Sequence, residues 1–198
     1  MIDPSAMVEP GVILGSGVKV WRNSHIRANA FIGDNVVVGE NVYIGSGVFI
    51  GSNTKIQNGA MVYEPAKIGE GVFIGPGACL TNDKFPRSVT TEGDLKKPND
   101  WSPSAVIVQN GATIGAGAIC VAPVEIGEWA MVGAGSVVIE NVKAYGLYVG
   151  NPAKHIGWVN KEGFRLLKRG RHLYCKETGF TYKLRNNQIT KVVFSNED

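Results

Sequence analysis

The chain has 198 residues, 44% hydrophobic and only 9% aromatic, with three cysteines and a net charge of +3. This composition excludes a disordered chain and a disulfide-stapled one, and it fits one elongated domain plus a small appendage. The charge is uneven: residues 160–198 hold nine Lys/Arg and four Asp/Glu, a net +5, which leaves −2 on the residues before them. No recognition motif accompanies that basic segment, so nucleic-acid binding is not expected.

From the start of the chain an aliphatic residue recurs every six positions: Ile2, Val8, Leu14, Val20, Ile26, Ile32, Val38, Ile44, Ile50, Ile56, Val62, Ile68, Ile74 and Leu80. A small or β-branched residue stands two places before each later anchor, as at Ser24, Val36 and Thr54, and glycine often follows the anchor. Neither a helix nor a plain strand has this period. Three hexads closing one triangular coil, with coils stacked about 4.8 Å apart, give a parallel β-helix in which each anchor lies on the one eighteen residues earlier. A single hexad cannot bury its apolar side, so stacking makes the core. The hexapeptide class of such helices turns left-handed, against the usual right-handed crossover.

Glycine is replaced after several anchors. The early corners carry Asp3, Glu9, Trp21 and Arg27, with His25 between the last two as a candidate ligand residue. Gln57, Tyr63 and Thr81 replace it again. Adding eighteen places Tyr63 under Thr81 and Glu64 under Asn82, a polar and aromatic patch at the point where the repeat stops.

From Thr81 to about Ile107 the hexad fails. The text Thr81-Asn82-Asp83-Lys84-Phe85-Pro86-Arg87-Ser88 opens a polar, proline-punctuated loop too long for an idle connection, the natural place for function on a rigid scaffold. The period resumes in a shifted frame at Val108, Ile114, Cys120, Ile126, Val132 and Val138. The sum is a left-handed β-helix of about seven coils with an extruded loop. Residues 142–158 read as an extended exit with a turn at Asn151-Pro152. Beyond it, Glu162 to Leu167 reads as a short helix, and His172-Leu173-Tyr174-Cys175, residues 180–184 and residues 188–194 read as strands of a small meander. It would cover the open end of the prism, whose strand edges otherwise invite association. Two units are expected: 1–158, the prism with its loop 81–107, and 159–198, a basic β extension.

Cys79, Cys120 and Cys175 form no Cys-x-x-Cys pair, which suits a reducing compartment. The repeat starts directly after Met1 and no apolar run reaches membrane-span length, so a cytoplasmic protein with neither signal peptide nor membrane insertion is expected.

The hexads, the segment Lys55-Ile56-Gln57-Asn58, the Val62-Tyr63-Glu64 step, the Asn82-Asp83-x-x-Pro86-Arg87 loop and the ending Gly133-Ala134-Gly135-Ser136 … Asn151-Pro152-Ala153-Lys154 … Trp158 together resemble the left-handed β-helix nucleotide-sugar N-acetyltransferases. The group they are most similar to acetylates the 3-amino group of UDP- or dTDP-linked aminosugars for bacterial surface glycans such as lipopolysaccharide. The resemblance covers roughly residues 2–158. It implies an acetyl-CoA-dependent homotrimer with sites between neighbouring prisms. By the same resemblance Asn82 holds the sugar amine with Glu64 beside it as the second catalytic candidate, while Gln57, Tyr63, Asp83, Arg87 and His25 are candidates for the sugar nucleotide. Gly115, Ala116, Gly133, Ala134 and Ser136 would face the pantetheine arm, and Asn151, Pro152 and Lys154 the end of CoA.

No histidine lies in the loop or the coils beside it, so no histidine base is expected. A neutral amine attacks a thioester with little help, and the departing thiolate, of pKa about 8.5, can take the proton. No metal is expected. The three histidines, His25, His155 and His172, are too scattered for the zinc site of a γ-type carbonic anhydrase. A non-enzymatic structural trimer would not need the polar loop, and an acetyltransferase of the antibiotic or serine type would place a histidine there.

Overall fold

The computed structural model describes residues 1–186 and 188–192. They form a left-handed parallel β-helix of about eight turns, one more than the hexads suggest, followed by an antiparallel meander. The extra rung comes from the ends: Ile2 bridges to Val20, and Gly146–Val149 pairs with Met131–Val132 beyond the last clean hexad.

Each coil supplies one two- or three-residue strand to each of three faces. The first face stacks Met7–Val8, His25–Ile26, Tyr43–Ile44, Met61–Val62, Cys79–Leu80, Ile119–Cys120 and Val137–Val138. The second runs from Ile13–Leu14 to Val124–Ile126, and the third from Lys19–Val20 through Gly146–Val149. The anchors point inward and are essentially solvent-free from Val20 to Val138. Each buried isoleucine or leucine contributes about 1.5–3 kcal/mol, so stability is spread evenly along the prism.

Corners need a backbone that reverses sharply. Glycine supplies the positive φ at Gly59, Gly77 and Gly117, but asparagine does so at Asn23, Asn29, Asn35, Asn41 and Asn53. Asparagine tolerates that region because its short amide can bond locally; Asn35 Nδ2 donates to Asn53 Oδ1 one coil away at 3.2 Å. Two buried hydroxyls add a second tie between coils. Ser24 Oγ donates to the Gly39 carbonyl and accepts from Val42 N, and Thr54 Oγ1 donates to Gly69 O and accepts from Val72 N.

The interruption is confined to one coil. Below it partners are eighteen residues apart, as in Met61↔Cys79; across it they are forty apart, as in Lys67↔Ile107, Phe73↔Thr113 and Cys79↔Ile119. Twenty-two extra residues are therefore extruded at one corner, and the prism continues unbroken beyond them.

The exit is a hairpin, Gly146–Val149 against Lys154–Val159. The helix expected at 162–167 is absent: Arg165–Arg169 is a strand, pairing with Trp158 and Val159 on one side and with His172–Cys175 on the other. Its Leu166-Leu167 pair reads as helical in isolation, but alternation wins, because burying Leu166 against Cys175 satisfies both sheet neighbours. Thr181–Arg185 and Gln188–Val192 complete the meander. Asn187, between these last two strands where the sequence suits a turn, and the expected strand end at 193–194 lie outside the described residues. These strands continue the third face without a break. Their inner side packs Leu166, Leu173, Cys175 and Tyr182 with Trp158 and Ile189, and it faces the last coil across a depression lined by Tyr145 and Lys161. Among the described residues no helix is long and apolar enough to cross a membrane.

Candidate active site

Two edges of the prism carry the candidate residues. The edge after the first face stacks Glu9, Arg27, Gly45, Tyr63 and Thr81. Backbone bonds from Arg27 to Ile44, Gly45 to Val62, Tyr63 to Leu80 and Thr81 to Cys120 fix that column. At its foot one carboxylate gathers two hydrogen bonds and an ion pair: Glu9 Oε1 meets His25 Nε2 at 2.7 Å and pairs in charge with Arg27, whose Nε lies 2.7 Å away, and Oε2 accepts from Ala28 N at 2.8 Å. The Ala28 N–H, then His25 and Arg27, hold the Glu9 carboxyl below its usual range. Arg27 also donates to the Tyr43 hydroxyl at 3.3 Å. Tyr43 meets His25 edge-on at 6.0 Å and Tyr63 at 5.2 Å, so an aromatic ladder climbs from Glu9 to the base of the loop.

At the top of that ladder sits Glu64. On other corners the equivalent oxygen caps the coil below: Asp34 Oδ1 accepts from Ser16 N at 2.7 Å, Asn58 Oδ1 from Glu40 N at 3.0 Å, and Asn110 Oδ1 from Glu70 N at 2.8 Å. Glu64 Oε2 fills the same space, against Gly45, but is buried with no donor. A buried acceptor without a partner costs about 1–3 kcal/mol, and here it lies one coil below Asn82. The Asn82 carbonyl accepts from Ser104 N at 2.7 Å and so pins the two ends of the loop together. Thr81 Oγ1 accepts from Ala122 N at 3.1 Å, tying the same point to the coil above.

The loop folds on itself. Asp83 Oδ1 accepts from Phe85 N at 2.8 Å, Lys96 N donates to Ser88 O, and Asp100 caps Lys97 N. A cleft of about 510 Å³ results, bounded by Asp83, Arg87, Lys96, Lys97 and Trp101. Three cations and an indole around one depression suit an anionic ligand with a flat ring. Leu95, 75% exposed, also lines this cleft, while Phe85, equally exposed, lines a neighbouring depression with Asp83, Lys96 and Trp101.

The edge after the third face stacks Trp21, Gly39, Gln57, Gly75, Gly115 and Gly133. Gln57 thus lies one edge away from Tyr63 and Thr81, and shares its column with the CoA candidates instead. Ala116 and Ala134 are exposed, and no side chain longer than a methyl stands on these late corners at 115–116 and 133–134. Coil stacking itself also demands the glycines: a Cβ on Gly115 would strike Ala134 N, and one on Gly133 would meet Val149 Cγ1 at 2.7 Å. Ser136 Oγ accepts from Gly150 N at 3.1 Å, and Ala153 N donates to Val137 O at 2.8 Å, so the hairpin turn is seated on this edge. Asn151, Pro152 and Lys154 are exposed there together. Next to Lys154, the His155 ring packs between Tyr148 at 5.1 Å and Trp158 at 4.7 Å; burial and then the Lys143 charge depress its pKa.

Burial also pushes up the Tyr63 hydroxyl and the Cys79 thiol near the loop base, and it drives Cys120 to about 12. All three cysteines are free thiols.

One chain therefore brings together Tyr63, Glu64 and Asn82, with Asp83 and Arg87 in the adjoining cleft. It separately gathers Gly115, Ala116, Gly133, Ala134, Ser136, Asn151, Pro152 and Lys154. A whole face of the prism lies between the two groups. His25 stands three coils below Cys79 on the first face and is engaged by Glu9. Sequence reading missed Glu9, Lys96, Lys97 and Trp101. Glu9 was findable, since it lies eighteen residues before Arg27, whereas the cleft depends on how the loop closes.

Two family models match: "Bacterial transferase hexapeptide (six repeats)" over residues 23–58 and 47–82, and "Hexapeptide repeat of succinyl-transferase" over 105–140. They flank the loop and stop short of the hairpin. Over 87 residues, 44% of this chain, it is 39% identical to the dTDP-3-amino-3,6-dideoxy-alpha-D-galactopyranose 3-N-acetyltransferase of Aneurinibacillus thermoaerophilus, and the match spans 45% of that relative. A hexapeptide transferase family protein from Anaplasma phagocytophilum superposes with a TM-score of 0.55 at 20% identity, over 82% of this chain and 80% of that one, a likeness of fold. A variant of the GDP-perosamine N-acetyl transferase of Caulobacter crescentus, crystallised with CoA and GDP-perosamine, gives 0.51 at 29% identity, over 79% of this chain and 55% of that one. With its hexads, its three-faced coil and these matches, the chain carries the repeats of the hexapeptide-repeat transferases and is similar to them on both sides of the loop.

Proposed function

We propose that the chain is an acetyl-CoA-dependent N-acetyltransferase acting on the amino group, most simply the 3-amino group, of a UDP- or dTDP-linked aminosugar for a surface glycan. It works as a cytoplasmic homotrimer in which residues 1–158 carry the transfer. The observation that carries this reading is the stacking of Tyr63 and Glu64 one coil below Thr81 and Asn82, at the base of a loop whose cleft gathers Arg87, Lys96, Lys97 and Trp101. A nucleoside diphosphate is the anion such a cleft suits, and Asn82 at the base of the loop is the candidate for the sugar amine. The names of the relatives, a dTDP-3-amino-sugar N-acetyltransferase and a protein bound to CoA and GDP-perosamine, support the same substrate class.

The late corners fit CoA: a thin arm needs bare backbone, as at Ala116 and Ala134, and a phosphate needs a free cation, as at Lys154. Bound there, CoA supplies the acetyl thioester and a thiolate that accepts the proton released by the amine. Asn82 holds the amine and aims its lone pair, Glu64 orients it from below, and Tyr63 forms the wall. Because one chain keeps its two candidate edges a face apart, the acceptor edge of one copy would meet the CoA edge of the next. Three copies close such a ring without open ends.

The test is release of free CoA thiol, followed with a thiol-reactive dye, from acetyl-CoA in the presence of dTDP- and UDP-linked 3-amino sugars. Turnover that needs both substrates and yields the N-acetyl sugar by mass is the expected result. Thiol release with serine or an aminoglycoside, and none with any sugar nucleotide, would overturn the proposal.

A further inference from the structure

The two sides of the meander differ in what they bury and in how many cations they carry. Register puts Leu166, Leu173, Cys175 and Tyr182 on the side that faces the prism. On the other side Leu167, Tyr174, Thr181 and Val192 form one cross-strand row, because Leu167↔Tyr174, Tyr174↔Thr181 and Thr181↔Val192 are paired. The same side carries Arg165 and Arg169, each two residues from Leu167, Lys183, two residues from Thr181, and Arg185, four from it, whereas Lys168 and Lys191 fall on the inner side. No Asp or Glu of the described residues falls on this side of the strands. The three ion pairs among the described residues all involve Glu9 or Glu40, far down the prism, so none engages these cations. Arg165 instead lies over the Ile156 carbonyl, and Arg169 over the Tyr174 ring at 5.5 Å. Leu167 stands among them 48% exposed.

From this excess of cations, four of the six in these strands, we propose that the outer side of the meander is a docking surface for an anionic phospholipid bilayer. Four cations with no carboxylate partner among the described residues, spread over two strands beside the half-exposed Leu167, match a plane of mobile phosphate headgroups. Such a plane needs no fixed spacing of its partners, and each cation near it adds to the attraction. Single-stranded nucleic acid fits less well. It asks for a groove and free aromatic faces, and of the two rings on this side Tyr174 is already covered by Arg169, while His172 stands opposite that same arginine. The surface begins one strand beyond the one that carries Lys154, and it would hold the full chain at a membrane peripherally, without insertion.

Flotation of the full-length protein with phosphatidylcholine vesicles, and with vesicles containing phosphatidylglycerol, tests the proposal. Binding only to the anionic vesicles, weakened by salt, is expected. The triple variant Arg169→Glu, Lys183→Glu, Arg185→Glu should bind at least about tenfold less, with its light-scattering mass and thiol-release activity unchanged. The matching Gln triple should fall between the two. A control triple with the same charge change elsewhere, Lys19→Glu, Lys55→Glu, Lys67→Glu, should retain binding. Absence of binding to the anionic vesicles overturns the proposal. So does an equal loss in the control triple, which would reduce the effect to net charge, or tighter binding to polyuridylate than to the vesicles at the same salt. Failure of the transferase reading would leave these outcomes unaffected.

Discussion

Glu64 and Asn82 carry the chemical reading, and they separate by the kind of loss each variant should show. Asn82→Ala is expected to lower kcat/KM by about 10²-fold or more while acetyl-CoA still binds, the scale of misplacing a reacting group. Glu64→Gln keeps shape and hydrogen bonding but removes the charge; if the leaving sulfur takes the proton, the loss stays below about tenfold. A loss above about a thousandfold in Glu64→Gln, with a missing acid limb in the pH profile, would make Glu64 the base. The positions of both residues were legible from the eighteen-residue offset alone. That Glu64 Oε2 lacks a donor was not, because the sequence does not say which corner oxygens cap the coil below. Glu9 gives a second test. Its folded pKa is depressed, so its stabilisation is complete above the ordinary carboxylate range and is lost as pH falls through the lower folded value. Thermal melts of Glu9→Gln should therefore lose less stability on acidification than the parent does, and parallel melts would show that the Glu9 cluster adds no pH dependence.

At the scale of single elements the coils are held by burial and by a few polar ties. Thr54 is fully buried and serves two backbone groups, Gly69 O and Val72 N, at a corner where the alternatives are Val18, Val36 and Val72. Thr54→Val keeps the shape and strands both groups, so denaturant unfolding should show a loss of about 2–4 kcal/mol; a neutral substitution would mean that the coil relaxes to repair them. The hexads read Thr54 only as one more small or β-branched residue, since periodicity reports burial and not hydrogen bonding. The misread segment at 162–167 has the same origin. Leu166 and Leu167 satisfy a helical pattern locally, while their true partners, Trp158 and Cys175, lie in other strands. Gln57 was grouped with Tyr63 because both replace glycine, although six residues is one full edge of the triangle. Only multiples of eighteen return to the same corner.

For the molecule as a whole, a rigid prism places the candidate acceptor edge and the candidate CoA edge on opposite borders of one face, and the loop insertion leaves that geometry intact because all twenty-two extra residues leave and re-enter at one corner. The prism was legible because a one-dimensional array repeats its own evidence fourteen times. The interior of the loop was not, because its folding depends on single contacts such as Asp83 with Phe85 N. The central claim is that each transfer site is shared by two copies. Co-expressing Asn82→Ala with Ala134→Trp, a ring placed where the pantetheine arm would run, tests it most directly. Each variant alone should be nearly inactive, whereas random mixed trimers contain intact pairs of edges in about a quarter of their sites. Thiol release from acetyl-CoA and the dTDP-linked 3-amino sugar should then return to roughly a quarter of the parental rate. A co-expressed sample no more active than the two variants purified separately would contradict a site built between copies.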